Sequence, residues 1–166
     1  MKRLWAPWRM EYILGKKKKD CVFCTEPEED KDRKNYILYR EKRCYVIMNI
    51  FPYNNGHLMV IPYRHVEDLE SLPDSTLGEM MAVTKQCCAV MRRAMGPHGF
   101  NIGVNVGDAA GAGIKEHLHI HIVPRWRGDT NFMAVMDEVR VMPQHLRETY
   151  DILRKGFDAL ADKKKR

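Results

Sequence analysis

The chain has 166 residues, a formal net charge of +6, 45% hydrophobic and 30% charged residues, and a mean hydropathy of -0.48. That is the profile of one ordinary globular domain, and it excludes a membrane-spanning or wholly disordered protein. Eight basic residues lie in two tracts, Lys16 to Lys19 and Lys163 to Arg166, and the remainder of the chain is slightly acidic. A polyanion-docking body, and with it a nucleic-acid partner, is therefore not expected.

Residues 1–20 read as an N-terminal arm, in which Trp5 and Trp8 call for burial against something else. The arm has no apolar stretch long enough for a signal peptide, so a cytoplasmic location is expected. Residues 21–142 then form the core, and 143–166 a C-terminal helix with a basic tail, all within one domain. Five cysteines, at 21, 24, 44, 87 and 88, suit thiols in a reducing compartment better than a disulfide framework.

Three β-rich runs follow, Tyr36 to Arg40, Cys44 to Ile50 and His57 to Pro62. Turn signals at Glu41-Lys42 and Pro52-Tyr53-Asn54-Asn55-Gly56 separate them, which predicts an antiparallel meander. From Asp74 or Ser75, either a good N-cap, to Met95, apolar residues recur at helical spacing: Leu77, Met80, Met81, Thr84, Cys87, Cys88, Met91 and Met95. Gly96-Pro97 stops that helix. A methionine and cysteine stripe of this kind is ordinarily core packing. Phe100 to Val106 reads as a strand, Gly107 to Gly113 as a glycine-rich loop, His117 to Pro124 as a strand, and Pro143 to Leu160 as a helix. The fold class is α+β: an antiparallel five-stranded sheet with one long helix and a C-terminal helix.

The segment His117-Leu118-His119-Ile120-His121-Ile122-Val123 carries the most chemistry. In a strand of period two, its three histidines share one face and the aliphatic residues take the other. Same-face side chains stand roughly 7 Å apart, so the three imidazoles divide the work rather than grip one atom. Behind a glycine-rich loop, the array suggests an imidazole nucleophile aimed at a phosphate. The plainer alternatives are a polar-faced strand or a metal-binding pair of histidines. Separately, Cys21-Val22-Phe23-Cys24 has the two-residue gap with which two thiolates hold one tetrahedral metal, imidazoles coming from elsewhere. Its plainer alternative is a pair of reduced structural thiols.

The histidine segment resembles the HφHφHφφ signature of the histidine triad nucleotide-binding family. Tyr45 to Ile50, Asn55 to Pro62 and Pro124-Arg125-Trp126 look like further pieces of it, so the resemblance covers roughly Cys21 to Arg127. Leu4 to Met10, Pro52 to His57, Pro97 to Asn101, and Trp126 with Gly128-Asp129 and Asn131-Phe132 look most like its bacterial diadenosine tetraphosphate phosphorylase branch. The resemblance implies that His119 attacks the α-phosphorus of a nucleotide and forms a nucleotidyl-imidazole, which inorganic phosphate or water resolves. It places His121 on the phosphate or leaving oxygen and His57 beside the same phosphate. Asn49 would hold the ribose hydroxyls, Ile50 and Leu58 would line the base pocket, and Asn105 with Gly111, Ala112 and Gly113 would receive phosphate oxygens. Gly113 stands where dinucleotide-cleaving members carry serine or glutamine, which removes one side-chain contact.

The same resemblance implies a structural zinc site made of Cys21, Cys24, His65 and His117, and a two-fold homodimer that joins two sheets into one. The stripe Met80, Met81, Thr84, Cys88 and Met91 is read as apolar surface available for that dimer. No acidic cluster suits a catalytic divalent cation, so Mg²⁺ would enter only with a polyphosphate substrate. A dinucleoside polyphosphate or other purine nucleotide is thus the expected substrate. The competing readings are a purine nucleoside phosphoramidase and a nucleotide-binding interaction module.

Overall fold

The computed structural model describes residues 20–129 and 144–164. The expectations for Trp5, Trp8, Asn131, Phe132, Pro143 and the N-terminal lysine tract lie outside the described residues. A single helical turn, α1 (Val22–Thr25), and a 3-10 turn (Glu26–Glu29) lead into strands β1 (Ile37–Arg40), β2 (Cys44–Met48) and β3 (Leu58–Pro62). Helix α2 (Asp74–Met95), strands β4 (Gly99–Val104) and β5 (Ile120–Arg125), and helix α3 (Leu146–Lys164) follow. The five strands form one antiparallel sheet in the order β1-β2-β3-β5-β4, so the expected α+β architecture is the one observed.

The period-two alternation sorts β1, β2 and β3 between two apolar layers. Val46, Met48, Leu58, Val60, Ile120 and Ile122 join Met80, Val83, Cys87 and Val90 of α2 and Leu153 and Phe157 of α3 in the main core. Tyr45, Ile47, Met59 and Ile61 take the opposite face and pack with Phe23 of α1 and Ile37. Each fully buried aliphatic side chain in these layers contributes roughly 1.5–3 kcal/mol. Gly156 lets α3 approach α2 closely, since a Cβ there would stand 2.6 Å from Val90 Cγ1. The Tyr150 hydroxyl of α3 donates to the Ile37 carbonyl at 3.0 Å, tying that helix to β1.

Three expectations are corrected. The long helix begins with Asp74 already helical, preceded by extended Pro73, whose carbonyl accepts the N–H groups of Thr76 and Leu77. Asp74 therefore acts through its charge in the first turn rather than as a cap. Strand β5 begins at Ile120, not His117: the register puts Leu118 opposite Pro62, which has no N–H to give. The Leu118 N–H goes instead to the Val66 carbonyl at 2.7 Å. Of the stripe expected to face a second copy, Met80, Thr84 and Met91 are buried in this chain's own core, whereas Met81 is 55% exposed. Gly96 ends α2 as expected, with a left-handed φ of 61°. Among the described residues no helix is long and apolar enough to cross a membrane.

Candidate functional site

His119 and His121 stand together, their ring centroids 4.6 Å apart, and His57 meets His121 from β3's entry at 5.1 Å. The hydrogen bonds fix where each ring carries its proton. The His119 Nδ1 lies 2.8 Å from the His117 carbonyl, which can only accept, so Nδ1 holds the proton and Nε2 keeps its lone pair. The His57 Nδ1 accepts the Tyr53 N–H at 3.1 Å. It also faces the Asn49 Nδ2 at 3.3 Å, and that amide is oriented by the Phe51 N–H on Asn49 Oδ1 at 2.9 Å. The His57 proton is therefore on Nε2, which donates to His121 Nδ1 at 3.0 Å. His121 in turn carries its proton on Nε2. The pair His119 and His121 thus offers one nitrogen lone pair and one N–H, the two things a phosphoryl group undergoing attack requires.

Burial keeps these rings neutral. Desolvation, then repulsion from His121 and His119, pushes His57 down to about 3. Desolvation, then His119, takes His121 down to about 4. His119 is lowered chiefly by burial, against its bond to the His117 carbonyl. Because the folded values lie below the ordinary 6.5, the unfolded chain takes up protons first as pH falls. The stability this provides is complete above about pH 6.5 and is lost below it. Urea unfolding should accordingly show a midpoint that drops from about pH 7 to about pH 5, before carboxylates titrate. A flat midpoint there, or ring signals of His57 and His121 that titrate near 6.5, would contradict it.

His117 turns away from this pair. Its Nε2 donates to the Pro62 carbonyl at 2.8 Å, leaving the Nδ1 lone pair 3.3 Å from Cys21 Sγ and 3.5 Å from Cys24 Sγ. The His65 Nδ1 lies 3.3 Å from Cys24 Sγ, and the four ligand atoms fall within 4.8 Å of one another. A tetrahedral zinc with sulfur at about 2.3 Å and nitrogen at about 2.0 Å sets its ligand atoms roughly 3.5 Å apart, so the donor set fits zinc in type, number and spacing. The His117 bond to Pro62 fixes the ring in the orientation a metal ligand needs. Burial, then the neighbouring Cys21, pushes the Cys24 thiol up to about 11; a divalent cation is what reverses that.

The remaining expected residues divide. Asn49 joins His57 as described, and Ile50 beside it is 46% exposed. Leu58 does not join: it pairs with Ile122 and is wholly buried in the core under α2. Its neighbour Met59 pairs with His121 instead, because alternation gives the histidine face to the odd-numbered residues of β3. Asn105 follows β4 one residue beyond Val104, the partner of Ile120. In the glycine loop, Gly107 and Gly111 adopt φ of 79° and 81°. The N–H groups of Gly111 and Ala112 bond to the carbonyls of Asp108 and Gly107 at 2.9 and 3.4 Å. As the loop stands, those two donors serve its own turn, and Gly113 is exposed at its end. Two aromatic neighbours were not anticipated. Phe23 lies 5.1 Å from the His119 ring, and Tyr53 stacks on His57 at 4.8 Å. The position of Phe23 inside the CxxC was the available signal, since whatever the cysteines grip carries it along.

The HIT domain profile matches residues 30–128. The AP-4-A phosphorylase of Mycobacterium tuberculosis is 41% identical in a 161-residue alignment that spans 92% of this chain and 83% of that protein. A Zn-bound histidine triad family protein from Mycobacterium smegmatis, 31% identical, superposes with a TM-score of 0.71 over 86% of this chain and 96% of its own. A hypothetical histidine triad nucleotide-binding protein from Sulfolobus tokodaii, 28% identical, does so at 0.67 over 84% and 93%.

Proposed function

The chain belongs to the HIT domain family, and from that premise we propose that it cleaves diadenosine polyphosphates by nucleotidyl transfer through His119. The observation that carries the reading is the protonation pattern: a buried imidazole with its lone pair on Nε2 beside a second imidazole presenting an N–H. The similarity to the AP-4-A phosphorylase supports the substrate class.

In the first step the His119 Nε2 lone pair forms a bond to the α-phosphorus as the bond to the bridging oxygen breaks. The rest of the polyphosphate leaves with that electron pair as a nucleotide. His121 Nε2–H donates to a phosphate oxygen as charge builds on it. The His119 Nδ1–H stays on the His117 carbonyl and stabilises the ring once it is substituted. In the second step an oxygen of inorganic phosphate or water attacks the same phosphorus, the P–N bond breaks, and His119 regains its lone pair. Asn49 and the exposed Ile50 flank the nucleoside, and Met59, rather than Leu58, is the side chain of β3 on that face. Phosphate contact with the Gly111 and Ala112 N–H groups requires their present bonds to open.

Cys21, Cys24, His65 and His117 would hold zinc, which supplies a charge that keeps both thiolates and clamps α1 onto the sheet. The edge strand β4 displays Ile102 at 48% exposure, and a second copy of the chain pairing there would continue the sheet.

The deciding experiment is chromatography of the products of diadenosine tetraphosphate with and without inorganic phosphate. Phosphate-dependent ADP and ATP are expected; AMP with ATP would make water the acceptor. No turnover in either condition, together with cleavage of an adenosine phosphoramidate, would replace this reading with the phosphoramidase.

A further inference from the structure

We infer that Asn54 and Asp129 are positioning residues that act through the Tyr53 N–H and His57 to decide which nitrogen of His121 carries its proton. His121 can present an N–H to phosphate only while His57 Nε2 donates to its Nδ1, and His57 does so only while its own Nδ1 is held as an acceptor. The Tyr53 N–H is the shorter of the two donors that hold it, at 3.1 Å against 3.3 Å for the Asn49 amide. What fixes the Tyr53 peptide in place lies beyond the histidines.

The turn Pro52 to Gly56 is clamped from its far side. The Asn54 Nδ2 donates to the Pro124 carbonyl and to Asp129 Oδ2, both at 3.0 Å. Asn54 Oδ1 accepts the Asn55 N–H at 3.0 Å, so the amide orientation is set, and the Asn54 carbonyl closes the turn on the His57 N–H at 3.1 Å. Asp129 is held in turn: Arg125 binds both of its oxygens, Nε at 2.6 Å and a terminal nitrogen at 2.9 Å. The Trp126 N–H approaches Oδ2 at 3.2 Å. Arg125 also reaches Asn101 of β4 at 2.8 Å. The Asp129 side chain is 12% exposed and that of Arg125 is 39% exposed, so these charge-assisted contacts are partly shielded from water. They join the exit of β5 and the sheet-edge strand to the one turn that carries the Tyr53 N–H.

If Asn54 is released, the turn relaxes and His57 Nδ1 loses its nearer donor. The 3.3 Å contact of the Asn49 amide then alone holds His57 Nδ1 as an acceptor. In the molecules that lose it, the His57 proton moves to Nδ1 by exchange with water, its Nε2 becomes an acceptor, and His121 places its own proton on Nδ1 to meet it. His121 Nε2 is left with a lone pair facing the phosphate oxygens, and donation turns into repulsion. No net proton is gained or lost. His119 is untouched, because its proton sits on the His117 carbonyl.

The test is long-range proton–nitrogen correlation NMR of the metal-loaded full chain, which reads the tautomer of each ring without turnover. In the unmodified protein His57 and His121 should both carry Nε2–H. In Asp129→Ala and in Asn54→Ala, both rings should show a substantial Nδ1–H population while His119 keeps its own pattern. Asp129→Asn, which retains an acceptor for Asn54, should restore Nε2–H. Kinetically, Asp129→Ala and Asn54→Ala should lower kcat by on the order of tenfold with little change in KM. Nδ1–H on His121 in the unmodified protein, or unchanged tautomers in both alanine variants, would overturn the inference. The kinetic arm rests on the nucleotidyl-transfer reading and the tautomer arm does not, so tautomers that shift in a protein without turnover would uphold the relay and discard the reading.

Discussion

His119→Ala is expected to lower turnover of diadenosine tetraphosphate by about 10⁴-fold or more, with nucleotide binding retained to within a few-fold. The size follows from what is removed: without the Nε2 lone pair no nucleotidyl-enzyme forms, and the acceptor must attack the polyphosphate directly. Binding should survive because Asn49, Met59 and His121 are held by bonds that do not pass through the His119 side chain. Acid-quenched enzyme incubated with substrate labelled at the α-phosphorus should carry label in the unmodified protein and none in the variant. A His119→Ala protein with more than about one hundredth of normal turnover would show that another group attacks. His121→Ala should be less severe, since it removes a stabilising donor from a reaction that still has its nucleophile.

The second large effect is expected from the cysteines. Cys24→Ser, or prolonged chelation, should abolish stoichiometric zinc and lower the thermal midpoint by roughly 10 °C. Zinc bound a thousandfold above its dissociation constant contributes about 4 kcal/mol, and a chain of this size loses about 2–4 °C for each kcal/mol. The loss should not unfold the protein, because α2 and α3 cover the main layer without help from the cysteines. It should reach the chemistry. The His117 carbonyl holds the His119 Nδ1–H, and Phe23, between the two cysteines, packs on the His119 ring. Metal analysis of never-chelated protein, paired with calorimetry and turnover on the same samples, checks all three consequences. Less than half an equivalent of zinc in the unmodified protein, or an unmoved midpoint in Cys24→Ser, would show that the four residues do not form a structural metal site.

Much of this was legible along the chain, and the successes share a physical origin. Alternation in His117 to Val123 sends Leu118, Ile120 and Ile122 to the main core and brings His119 and His121 together on the other side. Helical spacing and the Gly96-Pro97 stop set the long helix to its last residue. The CxxC gap foretold two thiols able to share a metal, and the four-residue cluster with His65 and His117 is present. The corrected expectations lie where the resemblance runs one step out of phase with alternation, where alternation is carried across a break, or where an apolar face is read without its cover. The resemblance implies a nucleotide-facing Leu58, but Leu58 follows His57 by one residue, and period two sends it to the core. Alternation alone extends the strand back to His117, but the residue opposite its neighbour is a proline and the strand begins at Ile120. The helix stripe reads as a partner surface because a sequence shows that a face is apolar without showing how much of it α3 and the sheet already cover.

The sequence by itself determined which residue types could do the chemistry and, through periods of 2 and 3.6, which face each would take. Tertiary structure alone decided the protonation of those residues. Whether an imidazole is a nucleophile, a donor or a metal ligand depends on which of its two nitrogens meets a carbonyl or an N–H. Those partners, the His117 and Pro62 carbonyls and the Tyr53 N–H, belong to the backbone, whose carbonyls every residue and whose N–H groups every residue but proline supply alike, and no side-chain pattern records them.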